Sequence, residues 1–103
     1  MRDNGGVGAA RVSVVIAAYN EERYIERAIQ SVLQQTFRDF ELIVADDGSS
    51  DRTLAIIRSF GDGRIRLIVN QGNQGVPRSR NRAMAIAAAP YIAVMDAGDI
   101  SLP

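Results

Sequence analysis

The chain lacks three residue types that carry much of enzyme chemistry. It has no cysteine and no histidine, and all twelve of its basic residues are arginine. Without cysteine there is no disulfide framework and no thiol nucleophile, and without histidine there is no Ser-His-Asp triad and no imidazole metal ligand. The absence of lysine excludes a Walker A lysine and a Schiff base. The remaining chemistry belongs to carboxylates, hydroxyls, arginine, backbone amides and a hard metal ion.

The chain also has no net charge and no long apolar run. Its 103 residues carry twelve acidic and twelve basic side chains. This balance gives no electrostatic attraction to nucleic acid or to an anionic membrane. No apolar run reaches the ~18 residues of a membrane span, and the N-terminus has no signal-peptide core. The length predicts a single domain with one modest core.

The hydrophobic pattern alternates between short strand-like runs and helical stripes. Strands are predicted at residues 12–18, 40–45, 65–69 and 91–95, with the third nearer an edge. Helices are predicted at residues 21–35, before Gly61, and at residues 77–88, and Asn20 is the expected N-cap of the first. The order β-α-β-α-β-α-β predicts an α/β, Rossmann-like, mostly parallel sheet with helices on both faces. Residues 1–11, which are rich in glycine, are expected to be a flexible lead-in.

Acidic loops follow the predicted strands. Ligands of parallel sheets bind beyond the carboxyl ends of the strands, so the loops after strands one, two and four are expected at one rim. Asp46 and Asp47 follow the second strand, where a carboxylate can accept a hydrogen bond from a base imide or a ribose hydroxyl. An Asx turn with a helix cap explains them equally well.

A second acidic pair, Asp96 and Asp99, follows the fourth strand. Aspartate oxygens suit Mg²⁺ or Mn²⁺ shared with a diphosphate, although a polar turn that ends the strand is the alternative. In the third helix, one of Arg78 and Arg80 is a candidate phosphate ligand, and a solvated face is preferred for Arg78 and Arg82. Tyr19 either stacks on a base or completes the core. The chain has no G-x-G-x-x-G pattern, which sets aside a dinucleotide-binding site.

Several of these segments, taken in order, resemble the N-terminal half of a family 2 glycosyltransferase with the GT-A fold. The resemblance rests on residues 12–21, 29–36, 40–51, 80–81 and 91–96. It implies an inverting enzyme that binds a nucleotide-sugar, most often a UDP-sugar, and a divalent metal, Mg²⁺ or Mn²⁺. The metal neutralises the departing diphosphate while an acceptor hydroxyl attacks the anomeric carbon. The implied donor-site residues are Ala17, Tyr19 and Glu21 around uridine, Asp46 at the uracil edge with Asp47 close by, Arg80 near the base or diphosphate, and Asp96 at the ribose and metal.

The sequence departs from the family pattern in two respects. Gly98 stands at the third position of the Asp-x-Asp motif that Asp96 opens, so Asp99 is the expected substitute, or the metal is held mainly by diphosphate and water. Family members also continue well past Pro103, where the acceptor site and the catalytic base are expected. Residues 12–103 are therefore interpreted as the nucleotide-sugar-binding part of a truncated GT-A domain that is inactive alone.

The resemblance also implies surroundings and partners. Family members act at the cytoplasmic side of membranes on glycan or lipid-linked acceptors, so a cytoplasmic, peripheral location is expected. An uncovered sheet edge would favour self-association. Two other functions stay open at this point, a nucleotidyltransferase and a non-catalytic interaction module. A glycine-rich loop with a basic residue after the first strand would support a nucleotidyltransferase. Residues 17–21 contain neither a glycine nor a basic residue.

Overall fold

The computed structural model describes residues 10–35 and 39–96 of the chain. Strands and helices alternate along this part, as the hydrophobic pattern predicts. None of its helices is long and apolar enough to cross a membrane. The elements in chain order are β1 (Val12–Ala18), α1 (Ile25–Leu33), β2 (Phe40–Asp46), α2 (Thr53–Ser59), β3 (Ile65–Val69), α3 (Val76–Ile86) and β4 (Tyr91–Asp96).

The four strands form one parallel sheet in the order β3-β2-β1-β4. Every residue of β2 is buried, as expected of a central strand in a sheet covered on both faces. The predicted edge position of the third strand is confirmed. β4 forms the other described edge, where Tyr91, Ile92 and Val94 are 67%, 42% and 46% exposed.

The helices divide between the two faces of the sheet. On one face, α1 and α2 cover a core that includes Ile16, Ile29 and Leu42. On the other face, α3 places Ala83 against Val15 and Ile43. The predicted Rossmann-like arrangement with helices on both faces is therefore confirmed.

Helix α1 begins later than predicted. It starts at Ile25 rather than Glu21, and Asn20 does not cap it. Asn20 instead has a left-handed φ of 52°, and its side-chain oxygen accepts the Ser50 amide at 2.8 Å. The backbone amides after β1 donate to side chains of the loop after β2. This segment therefore forms a loop and not the first turn of the helix. Tyr24, the residue just before the helix, is 40% exposed.

Helix α3 also differs from the prediction at both ends. It starts at Val76, which puts Pro77 at the second rather than the first helical position. It ends at Ile86 rather than near Ala88, because the Ala88 amide donates to the buried Glu41 carboxylate at 2.8 Å instead of continuing the helix.

Candidate functional site

The carboxyl ends of the strands lie along one rim of the sheet. Ala17 in β1 pairs with Ala45 in β2 on one side and with Asp96 in β4 on the other. Asp46, the next residue of β2, pairs with Ala18. Since neighbouring strands lie about 4.8 Å apart, the backbones at Asp46 and Asp96 are roughly 10 Å apart across β1. The predicted gathering of these strand ends at one rim is confirmed.

The loops after β1 and β2 are joined by hydrogen bonds. The Asn20 amide donates to Ser49 Oγ at 3.0 Å, and the Glu21 amide donates to Thr53 Oγ1 at 2.8 Å. Tyr19 and Glu21 are both half-buried at this junction. Because backbone amides of one loop are held by side chains of the other, the two loops form one structural unit beside the end of β1.

A second pair of contacts continues this junction at the start of α2. The Glu22 amide donates to Asp51 Oδ2 at 3.3 Å, while Glu22 Oε1 accepts the Arg52 amide at 3.0 Å. Burial raises the pKa of Asp51, but the hydroxyl and amide of Thr53 outweigh burial and leave that pKa below its usual value. Asp51 is therefore ionised at neutral pH and caps the amide of Thr53.

Asp46 is buried and forms a local turn. Its carboxylate accepts the Ser49 amide at 3.1 Å on Oδ2 and the Ser49 hydroxyl at 2.6 Å on Oδ1. Its relative exposure is 0%. These bonds reach the residue three positions on, whereas the Asx turn that the sequence left as an alternative bonds the amide two positions on. A carboxylate offers about four acceptor positions, so two remain beside these bonds.

Asp47 is also 0% exposed and holds the loop between β3 and α3. Its Oδ1 accepts Asn70 Nδ2 at 3.0 Å, the Gln74 amide at 2.9 Å and the Ser79 hydroxyl at 2.8 Å. Its Oδ2 accepts the Gly75 amide at 2.8 Å. Burial raises the pKa of Asp47, but these hydrogen bonds outweigh burial and hold the pKa below its usual value. Asp47 is therefore an ionised anchor between two rim loops.

Two residues of this network, Asn70 and Ser79, were not predicted from the sequence. Both are buried, and Asn70 directly follows β3, as Asp46 ends β2. Asn70 also accepts a hydrogen bond from the Arg82 guanidinium. A short polar side chain at the end of a predicted strand was the available signal for Asn70. Nothing in the helical pattern distinguished Ser79 from a solvent-facing serine.

Glycine allows the two anchored loops to touch. Gly48 follows Asp47 with a φ of +79°, and a Cβ built on it would lie 2.8 Å from the carbonyl carbon of Gly72. No side chain fits into this backbone contact, and a left-handed φ costs an ordinary L-residue roughly 1–2 kcal/mol. The Gly48 position therefore fixes how closely the loop after β3 approaches the loop after β2.

The three arginines of α3 differ in their surroundings. Arg78 is exposed, in agreement with the preferred interpretation of a solvated side chain. Arg82 is exposed as well, although its guanidinium also donates to Asn70 and so contacts the Asp47 network. Arg80 is half-buried next to Ser79. One arginine of the helix therefore contacts the loop anchor, and Arg80 stays a predicted candidate for a phosphate.

The described carboxylates do not by themselves form a metal site. Among the side chains that the structure describes, those of residues 10–35 and 39–95, no group of three or more acidic residues is placed to hold a metal ion. The carboxylates of Asp46 and Asp47 already accept N–H and O–H donors, which a cation would have to displace. Asp96 ends β4 at the rim, and Asp99 lies outside the described residues.

Comparison with known proteins identifies relatives that match most of this chain. One is UDP-Glc:alpha-D-GlcNAc-diphosphoundecaprenol beta-1,3-glucosyltransferase WfgD of Escherichia coli, which is 42% identical over 89 residues, 86% of this chain and 35% of the relative. Glycosyltransferase GlyG of Streptococcus pneumoniae is 32% identical over 91 residues, 86% of this chain and 30% of the relative. The chain spans about a third of the length of the curated relatives it matches.

Solved structures share the fold. S. aureus TarS in complex with UDP-GlcNAc superposes with a TM-score of 0.80 at 31% identity, covering 84% of this chain and 26% of that one. Mannosyltransferase PcManGT from Pyrobaculum calidifontis, in complex with GDP-Man and Mn²⁺, gives a TM-score of 0.78 at 26% identity, covering 84% of this chain and 27% of that one. The predicted GT-A type of sheet is confirmed by these structures.

The match to a family is equally extensive. Residues 13–103 match the family described as Glycosyl transferase family 2. This range includes all the described strands apart from the first residue of β1. It also includes the loops after β1 and β2 and the acidic end of β4. The chain therefore belongs to glycosyl transferase family 2.

Proposed function

We propose that the rim formed by the ends of β1, β2 and β4 binds the nucleotide-sugar donor of an inverting glycosyltransferase. The observation that carries the proposal is the register that puts Ala17 between Ala45 and Asp96, because it brings two acidic strand ends to either side of one strand. A UDP-sugar is the proposed donor. The bound UDP-GlcNAc of TarS and the UDP-Glc in the name of WfgD support this choice, whereas PcManGT binds GDP-Man.

Each site residue has a proposed part in donor binding. Ala17, Tyr19 and Glu21 line the nucleoside side of the rim, where small Ala17 leaves room and the Tyr19 ring offers a face for stacking. Asp46 accepts the base imide at an acceptor position that its two bonds from Ser49 leave, which requires the loop over this buried carboxylate to open. Asp47 supports the same pocket indirectly, because it holds the loop between β3 and α3 in place.

The diphosphate is proposed to lie between α3 and the end of β4. Arg80 supplies positive charge from the first half of α3, and a guanidinium suits phosphate oxygens. Asp96, with Asp99, is the proposed source of carboxylate oxygens for a divalent cation, as the Mn²⁺ in PcManGT suggests for the family. When bound, such a cation acts as a Lewis acid that stabilises the leaving diphosphate.

The acceptor and the catalytic base are not assigned to residues of this chain. The name of WfgD includes a diphosphoundecaprenol-linked sugar, which supports a lipid-linked or other glycan acceptor for the proposed transfer. An acceptor hydroxyl would attack the anomeric carbon as the bond to the diphosphate breaks, with inversion. Because the relatives are about three times longer, we propose that this chain binds donor but does not transfer sugar alone.

The edge strand β4 supports a further partner proposal, a second copy of this chain. Between Tyr91 and Met95, β4 carries no charged side chain, and within the described residues it pairs only with β1. Exposed apolar edges of this kind are prone to strand pairing between molecules. Light scattering over a concentration series is expected to show dimers, and a strict monomer would contradict self-association.

Calorimetric titration of the chain with UDP tests the donor proposal. We expect Mn²⁺-dependent heat with UDP and less with GDP. Asp96→Asn is expected to weaken binding at least tenfold, and Arg78→Gln, on the solvated face of α3, is the control that should leave it unchanged. A folded sample that gives no heat at millimolar UDP with Mn²⁺ would contradict the proposed function.

A further inference from the structure

A buried carboxylate lies on the α3 face of the sheet, in the opposite half of β2 from the rim. Glu41, the second residue of β2, is 1% exposed. Its Oε2 accepts the Ser13 hydroxyl at 2.5 Å and the Ala88 amide at 2.8 Å, and its Oε1 accepts Arg66 Nη1 at 3.1 Å. None of the proposed donor contacts uses this group.

The donors to Glu41 include the connection that leads into β4. Ala88 and Ala89 lie between the end of α3 and the first residue of β4. While the Ala88 amide donates to Glu41, the Ala89 amide donates to Ser13 Oγ at 3.1 Å, and Ser13 in turn donates to Glu41. Two consecutive amides are thus fixed to β1 and β2 by two side chains.

This connection matters because β4 has little other support. Within the described residues, β4 pairs with β1 alone, and most of its side chains are exposed. The parallel ladder sets Tyr91 opposite Val12 and Asp96 opposite Ala17. A change in where β4 begins would therefore move its far end relative to the rim.

We propose that Glu41 is a positioning residue that fixes the start of β4 and thereby places Asp96 at the rim. The inference rests on the proposed function in one respect only, that Asp96 contacts the donor or its metal. Burial raises the pKa of Glu41, but the bonds from Ser13, Ala88 and Arg66 outweigh burial and leave it below the usual value. The ionised group supplies acceptors for three donors at once, which a neutral amide with one oxygen cannot do.

Glu41→Gln tests the proposal, with Ile57→Val as the control. Ile57 is a buried residue of α2 on the opposite face, so its truncation lowers stability without touching the connection into β4. NMR hydrogen exchange of backbone amides and UDP affinity in the presence of Mn²⁺ are measured well below each unfolding temperature. For Glu41→Gln we expect the β4 amides to exchange at least tenfold faster, the Asp96 amide resonance to shift, and UDP affinity to fall at least threefold. For the control we expect none of these three changes.

The two arms separate failure of this proposal from failure of the proposed function. Wild-type exchange and an unmoved Asp96 resonance in Glu41→Gln would overturn the positioning role, as would equal changes in the control. If the wild-type chain binds no UDP, the proposed function fails while the exchange measurement still decides the role of Glu41. If Glu41→Gln does not fold, Ser13→Ala replaces it in the test. Ser13→Ala removes only the acceptor of the Ala89 amide and one of the donors to Glu41, and the proposal stands only if this variant shows the faster exchange of the β4 amides.

Discussion

Replacing Asp47 with asparagine tests whether an ionised group is required beneath the rim loops. The Asp47 carboxylate accepts four hydrogen bonds, three on Oδ1 and one, from the Gly75 amide, on Oδ2. Asparagine keeps one acceptor oxygen. If that oxygen takes the place of Oδ1, the new NH₂ group faces the Gly75 N–H. In the opposite orientation the NH₂ group faces the three donors that Oδ1 accepts. In the first orientation the Gly75 N–H keeps only the Asn73 side-chain oxygen as its acceptor and the new buried NH₂ group has none. In the second orientation the three donors to Oδ1 lose their charged acceptor.

The expected cost follows from these contacts. A hydrogen bond to a charged group contributes about 1.5–3 kcal/mol, and a neutral acceptor about 0.5–1.5 kcal/mol. Loss of the Gly75 bond, together with weakening of the other three, predicts a destabilisation of about 3–5 kcal/mol after partial relaxation. A domain of this kind has roughly 5–15 kcal/mol of stability in total. Asp47→Asn is therefore expected to fold marginally.

Asp46→Asn is the matched control, because Asp46 is the neighbouring residue and equally buried. Both of its bonds come from Ser49, and an asparagine oxygen can accept the Ser49 amide while its NH₂ donates to the Ser49 hydroxyl. We expect a loss of only about 1 kcal/mol. In urea unfolding, a 3 kcal/mol difference at a slope of ~1.5 kcal/mol per molar separates the two midpoints by about 2 M. Equal midpoints would refute the assignment of Asp47 as the loop anchor.

Three further perturbations have expected outcomes. The lowered pKa of Glu41 means that its stabilisation is fully present above its unfolded value of 4.5 and is lost as pH falls towards the folded value, so urea midpoints from pH 7 to 2 should fall less steeply in Glu41→Gln. Gly48→Ala, which combines a positive φ with a clash against Gly72, should cost about 2–4 kcal/mol, whereas Gly61→Ala, with nothing within 4 Å of its Cβ, should change the unfolding temperature little. Ile92→Lys on the exposed edge strand should shift light scattering towards monomer, and unchanged dimer would place the contact elsewhere.

Most of the fold could be predicted because its elements repeat simple periods. The continuous apolar runs of β1 and β2 predicted central strands, and the alternation of elements with short connections restricted the sheet to a parallel arrangement. A parallel sheet in turn brings the strand ends to one edge, so the proximity of Asp46 and Asp96 followed without any knowledge of side-chain contacts.

The helix boundaries and the loop anchors could not be predicted because they depend on contacts between distant segments. Asn20 is a good N-cap by residue type, yet its side chain accepts an amide thirty residues away. Likewise, α3 stops where a carboxylate from β2 captures the Ala88 amide. Arg82 is exposed as predicted, but helical spacing does not show that its guanidinium also reaches Asn70.

The alternation of side chains along β2 explains how two adjacent carboxylates coexist without sharing a partner. Leu42 and Val44 face the core beneath α1 and α2, whereas Ile43 and Ala45 face α3. Continuing this period beyond the strand directs Asp46 and Asp47 to opposite sides, and their separate partners, Ser49 for one and the loop before α3 for the other, agree with it. Each carboxylate is therefore stabilised by its own hydrogen-bond donors. Because the two side chains share no hydrogen-bond partner, a double Asn variant should lose about the sum of the two single losses, and a double-mutant cycle measures any coupling between these adjacent positions. A large coupling would mean that the hydrogen bonds of one carboxylate depend on those of the other.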